Sequence, residues 1–159
     1  MTTDDIVFFY RTAHPFSNFH PSVFVVQGVT YHWAEQFIMH RKAVQFGDFE
    51  TAEAILHARN PGECKQLGRR VRPYDDAVWA SVRESVAFDA CLHKFTQNEK
   101  LRAALLATRD ALLVEASPTD RIWGVGFSEQ DALANRDRWG ENLLGIALMR
   151  VRDTLREAP

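Results

Sequence analysis

Up to Tyr31 the apolar positions come in short extended runs, and after Tyr31 they settle into a helical rhythm. Residues 6–10 form a β-branched and aromatic run that predicts a strand, ended by the polar pair Arg11-Thr12. Residues 23–26 and 29–31 flank Gln27-Gly28 and predict a small hairpin. From 33 to 46 neither Gly nor Pro intervenes, and Gly47 follows as a natural C-terminal cap. Asp48 is placed to cap a second helix running to about Ala58. Asn60-Pro61-Gly62-Glu63 joins an N-cap amide, a proline at the first helical position and an acid three residues after the cap. That helix should end at Gly68. Asp75 or Asp76 opens a longer helix to about Phe95, with Val78, Val82 and Val86 at four-residue spacing. Asn98 starts another that buries Leu101 and Leu105, and Leu112-Leu113-Val114 reads as one more short strand. The closing helix, about 142–156, carries Leu144, Ala147, Leu148, Val151 and Leu155 as one apolar stripe.

These elements amount to a mainly α-helical α+β domain with a few short strands near its N-terminus. No repeat, low-complexity stretch or linker divides the chain, so residues 1–159 are expected to form one domain. At 46% hydrophobic content there is enough apolar material for a real core. Charge is nearly balanced, 19 basic against 21 acidic side chains, which argues against a nucleic-acid coat or a membrane-surface protein. No apolar run approaches bilayer length, and Met1-Thr2-Thr3-Asp4-Asp5 lacks the pattern of a signal peptide. Cys64 and Cys91 stand apart from each other and from any His cluster, so neither a metal site nor a disulfide is expected. The expected location is the cytoplasm, with both thiols reduced.

Candidate chemistry concentrates in three places. Asp120-Arg121-Ile122-Trp123-Gly124-Val125-Gly126, with Trp139-Gly140-Glu141-Asn142 soon after, mixes acid, amide, indoles and glycines without any period. Such a loop either walls a ligand pocket or is a rigid structural loop whose indoles cap the core. Glu35 and Lys42 lie two turns apart on one helix face, a spacing that fits solvated charges. Their neighbours Trp33, Phe37, Ile38 and Val44 are apolar, however, and buried charges usually have work or partners. Arg69-Arg70 follow Gly68 at a helix end, where they complement the helix dipole or grasp a phosphate. Trp79 and Phe88, at helical spacing, read as core. The six histidines form no metal-binding pattern, and no phosphate-cradling glycine motif or GxSxG occurs.

Six pieces then fall in a telling order. They are Phe16-Ser17-Asn18-Phe19, Ala34-Glu35-Gln36-Phe37 leading to Lys42-Ala43, Leu67-Gly68-Arg69, Lys94-Phe95, Asp120-x-x-Trp123-Gly124-x-Gly126 and Gly140-x-Asn142-x-x-Gly145. In this order they resemble the NADAR, or YbiA-like, family over about residues 8–152. The resemblance implies a mainly helical enzyme that cleaves N-glycosidic bonds to ribose without a metal or organic cofactor. Family substrates include ribosylamino-pyrimidine phosphates early in riboflavin synthesis, and other members remove ADP-ribose from guanine in DNA. By position Glu35, Trp79 and Asp120 correspond to active-site residues, and Lys42 to a lysine that bonds covalently to the sugar. Ser17, Asn18, Phe19, Arg69, Trp123, Gly124 and Asn142 are expected to bind substrate. Gln36 stands where many members have His, and Met39 where some have Gln; both are expected beside the pocket. The expected partner is an N-ribosyl phosphate or an ADP-ribosyl substrate, including ADP-ribosylated DNA. A non-catalytic ADP-ribose or NAD-binding module is the alternative, and the retained Glu35, Lys42 and Asp120 favour an enzyme.

Overall fold

The computed structural model describes residues 5–157, so the N-terminal residues 1–4, read above for a leader pattern, lie outside the described residues. The chain runs β1 (Ile6–Phe9), β2 (Phe24–Val26), β3 (Val29–Tyr31), α1 (Ala34–Gln45), α2 (Phe49–Leu56), α3 (Pro61–Gly68), α4 (Asp76–Gln97) and α5 (Glu99–Leu106). It continues through β4 (Leu112–Glu115), the single turn α6 (Glu129–Ala132), a 3-10 stretch (Leu133–Arg138) and α7 (Leu143–Glu157). The mainly helical α+β architecture expected from the sequence is what the chain adopts.

Local chemistry sets most boundaries. Asp48 caps α2 by accepting from Thr51 N at 3.1 Å, and Asn60 caps α3 by accepting from Glu63 N at 2.8 Å, with Pro61 behind it. Asp75 caps α4 through Ala77 N and Val78 N. The hairpin β2–β3 turns through Gln27 and Gly28, both at positive φ, the geometry a two-residue turn requires.

Two expectations change and one is refined. Val78 is exposed and only Val82 and Val86 of the expected stripe meet the core; the fully covered face of α4 follows Trp79, Val86, Ala90 and Phe95, because Trp79 claims the inward position of the first turn. Asn98 does start α5, as expected, although its side-chain amide donates to Val23 O and Lys94 O and makes no cap bond. The segment after Ser117 is not wholly irregular, as it holds α6 and the 3-10 stretch, both too short to display a helical period.

The core is a contiguous apolar cluster in which Phe37, Ile38, Ile55, Phe95, Leu144 and Leu148 are fully covered. Helix α4 packs on both α1 and α7, and α1 also carries α2 and α3. Gln36 is as buried as these apolar side chains. It accepts from His32 N at 2.8 Å and donates to Ile55 O at 3.0 Å, so it pins the start of α1 to the end of α2. A buried amide with both ends bonded is a structural fastener.

The sheet that positions the site is a two-stranded parallel pair, β1 with β4, in the register Ile6↔Leu112 to Phe9↔Glu115. Strands so far apart in sequence pair because the intervening helices form the crossover that parallel pairing requires. Both strands therefore end at the same place.

Candidate active site

A cavity of about 820 Å³ opens where β1 and β4 end. The residues after β1, Tyr10 to Ala13, line one wall, and Glu115, Ser117, Thr119 and Asp120 line another. Carboxyl ends of parallel strands are a recurrent place for ligands, because side chains from several loops converge there. Helices α1, α3 and α4 complete the enclosure with Glu35, Met39, Lys42, Lys65, Gly68, Arg69, Asp76, Trp79 and Arg83.

The floor is built by hydrogen bonds among loops. Glu35 N donates to Asn18 O at 3.0 Å, so the first turn of α1 holds the Ser17–Asn18–Phe19 loop. Lys94, buried in α4, donates from Nζ to Ser17 O at 2.9 Å and fixes the same loop from below. Burial pushes the Lys94 ammonium down to about 8. Asn18 Oδ1 is buried with no hydrogen-bond partner among the described residues, as is Arg83 Nε, and both residues face the cavity. Unpaired polar atoms in such a place are open valences for a ligand.

The acids and bases are unusual for a surface. Burial, reinforced by the Asp120 charge, pushes Glu35 up to about 7, against the pull of Lys65, Lys42 and Arg69. Glu115 is pushed up to about 8 by burial and by the charges of Asp120 and Glu35. Lys42 is held below the ordinary lysine range, chiefly by burial. Its ammonium lies 4.7 Å from the Tyr74 ring centre, and it has no ion pair among the described residues. The two-solvated-charges reading of Glu35 and Lys42 is thereby replaced: both face one cavity. Asp120 Oδ1 accepts from Ile122 N and Trp123 N, each at 2.9 Å, which shapes the loop that brings Trp123 to the wall.

Of the expected site residues, Ser17, Asn18, Phe19, Glu35, Lys42, Arg69, Trp79, Asp120 and Trp123 line this cavity. Gly124 and Asn142 do not. Asn142 accepts from Glu115 N at 3.0 Å and donates to Leu113 O at 2.9 Å, clasping β4 from the start of α7. A Cβ on Gly124 would meet Glu115 O at 2.8 Å, so glycine there lets the loop press on β4. The glycine and tryptophan loop is both things at once. Trp123 walls the pocket, while Trp139 packs on Phe8 and donates to Ala132 O, away from it. Met39 lines the cavity, but Gln36 lies behind it in the core. Arg69 faces the cavity and Arg70 does not. Glu115, Lys65 and Arg83 were missed by sequence reasoning. The one available signal for Glu115 was an acid closing an apolar strand. Among the described residues no three His, Cys, Asp or Glu side chains are grouped to hold a metal.

The NADAR domain family model matches residues 8–156. The chain belongs to this family. It is 39% identical to protein irg-1 of Caenorhabditis elegans, over 96% of this chain and 81% of that protein. It is 36% identical to an N-glycosidase of Acanthamoeba polyphaga mimivirus, over 96% and 98% of the two chains, and 35% identical to N-glycosidase YbiA of Escherichia coli, over 96% and 89%. The NMR structure of the E. coli protein YbiA superimposes with a TM-score of 0.80 at 34% identity, covering 98% of this chain and 88% of that one. The NADAR kinship carries the enzyme class with it: a hydrolase of N-glycosyl bonds.

Proposed function

We propose that this chain hydrolyses the N-glycosidic bond of a ribosylamino-pyrimidine phosphate of the kind formed early in riboflavin synthesis. The observation that carries the reading is the meeting of Glu35, Asp120 and Lys42 with the cations Lys65 and Arg69 and the indoles of Trp79 and Trp123 around one cavity. An N-ribosyl phosphate needs each of these: an aromatic face for the base, a cation for the phosphate, and acids for the bond between them.

Lys42 is the nucleophile. Its lowered proton affinity raises the fraction of free amine, whose lone pair bonds to the anomeric carbon as the bond to the base breaks. The electron pair of the broken bond leaves with the base nitrogen, which takes a proton from a carboxylic acid of the cavity. Opening of the sugar ring gives an imine, and water added to that imine returns the sugar and the amine. Glu35, on the first turn of α1, faces the positive charge that develops at the sugar. Arg69 holds the phosphate. The two thiols take no part, since burial pushes Cys64 up to about 12 and Cys91 up to about 11.

The reading takes residues 1–159 as one domain working in the cytoplasm. What supports it is the contiguous core, the two free buried thiols, and the absence among the described residues of a helix long and apolar enough to cross a membrane.

One observation favours a larger substrate, ADP-ribose linked to guanine in DNA. A second cavity of about 870 Å³ adjoins the first at Tyr10, Arg11 and Ala13, a neighbouring space that a substrate larger than one ribosyl nucleotide would use. Purified protein should be given a ribosylamino-pyrimidine phosphate and, separately, an oligonucleotide bearing ADP-ribosylguanine. The proposal expects release of ribose phosphate with kcat/KM at least about tenfold above that for ADP-ribose release, a gap of about 1.4 kcal/mol. The reverse order installs the larger substrate, and binding of ADP-ribose with no turnover of either leaves a binding module.

A further inference from the structure

We infer that Glu115 is the acid that protonates the departing nitrogen, leaving Glu35 as the carboxylate that faces the sugar. The inference rests on the N-ribosyl reading above and assigns a role within the same cavity. Four carboxyl side chains line that cavity, and their settings differ. Asp76 Oδ1 accepts from the Tyr74 hydroxyl at 2.8 Å, which occupies it at the start of α4. Asp120 uses Oδ1 as an acceptor for two backbone N–H groups, which ties it to loop shape. Glu35 sits in the first turn of α1, where the helix dipole favours a negative charge, with Lys65, Lys42 and Arg69 in electrostatic reach. Glu115 has no helix end and only Lys65 to offset the charges of Asp120 and Glu35. Lys42, Arg69 and Arg83 lie further round the same wall. Among the described residues its carboxyl makes no hydrogen bond or ion pair. A carboxyl so placed has reason to keep its proton.

Its backbone is also held in place. Glu115 closes β4 opposite Phe9, its N–H donates to Asn142 Oδ1 at 3.0 Å, and its carbonyl accepts from Val125 N at 3.0 Å. A backbone held at donor and acceptor on a strand end presents its side chain to the cavity in one direction, as proton transfer requires. Burial and the neighbouring carboxylates push its carboxyl up to about 8, so it is neutral at physiological pH.

The step balances. As the bond between anomeric carbon and nitrogen breaks, its electron pair goes to nitrogen, which takes the proton from Glu115. Lys42 sheds one proton as its own nitrogen bonds to the carbon, and that proton restores Glu115.

The test compares leaving groups. Glu115→Gln should lose on the order of 100-fold or more in kcat on the N-ribosyl substrate. A nitrophenyl riboside 5-phosphate, whose leaving group departs as a stable anion, should lose less than about threefold. Loss of the decline in activity above pH 8 should accompany the first result. Carbon-13 NMR of glutamate-labelled protein, assigned with the same variant, should show the Glu115 carboxyl still protonated at pH 7. Equal losses on both ribosides, or a carboxyl ionised at pH 7, overturn the assignment of Glu115 alone. Failure of the wild-type protein to cleave either riboside overturns the ribosyl reading, and the proton-transfer step with it.

Discussion

The two ends of β4 hold charged side chains under opposite regimes. At its N-terminal end Arg152 is buried, and its Nη1 donates to Thr108 Oγ1 and Ala111 O, both at 2.9 Å. At its C-terminal end Glu115, with Glu35 and Lys42 nearby, faces an open cavity and has no such partners among the described residues. The first arrangement holds a buried charge on protein atoms through Nη1, with Nε left unpartnered among the described residues, and so serves the fold. The second leaves titratable groups desolvated and without protein partners, the pattern that marks sites built for a ligand. One strand separates the two.

Mutation should divide the two ends cleanly. Glu35→Gln should lower kcat by on the order of 1,000-fold, about 4 kcal/mol of transition-state stabilisation, while circular dichroism stays that of the native fold. A loss under tenfold would remove Glu35 from the chemistry. Arg152→Met should do the reverse. It strands Ala111 O and takes one donor from Thr108 Oγ1, which keeps its bond to Leu105 O, so unfolding free energy should fall by about 2 kcal/mol with kcat/KM of the folded enzyme unchanged. An activity loss at full stability would erase the contrast between the ends.

The third comparison uses pH. Glu35 has a folded-state pKa of about 7, above its ordinary value of 4.5. The folded chain therefore binds the extra proton, and wild-type stability falls as pH rises from about 4.5 to 7. Glu35→Gln removes that loss. It should be more stable than wild type by about 2 kcal/mol at pH 8, with the gap closing below pH 4 in urea titrations. A constant gap across the range would contradict the burial of that carboxyl. Smallest of all, Arg69→Ala should raise KM for a phosphorylated ribosyl substrate about tenfold and leave the dephosphorylated form nearly unaffected. Equal effects on both would take the phosphate away from Arg69.

Much of this was legible in the sequence, and the illegible part has physical causes. Caps at Asp48, Asn60 and Asp75 announce their helices because a side-chain oxygen beside a helical run has few other uses there. The pairing of β1 with β4 was hidden, since nothing local in Ile6–Phe9 encodes a partner more than a hundred residues away. Without that pairing the position of Glu115 at the cavity could not be read. Glu35 and Lys42 looked like surface charges by spacing, and it was their apolar neighbours and the ordered family motifs that pointed inward. Gln36 and Asn142 misled in the other direction. Both are polar residues inside family motifs, yet one fastens α1 to α2 and the other fastens α7 to β4. Motif membership marks a residue the architecture needs; it does not say whether substrate or backbone is what it touches.

The central claim is that the unpaired titratable groups at the C-terminal end of β4 serve a covalent reaction at Lys42. Its most direct test is borohydride trapping during turnover of the ribosylamino-pyrimidine phosphate. Reduction of the imine should leave a stable sugar phosphate on the peptide that contains Lys42, and Lys42→Met should lose both the adduct and turnover while remaining folded. Full turnover by Lys42→Met, with no adduct on the wild-type peptide, would contradict the account and leave water as the attacking group.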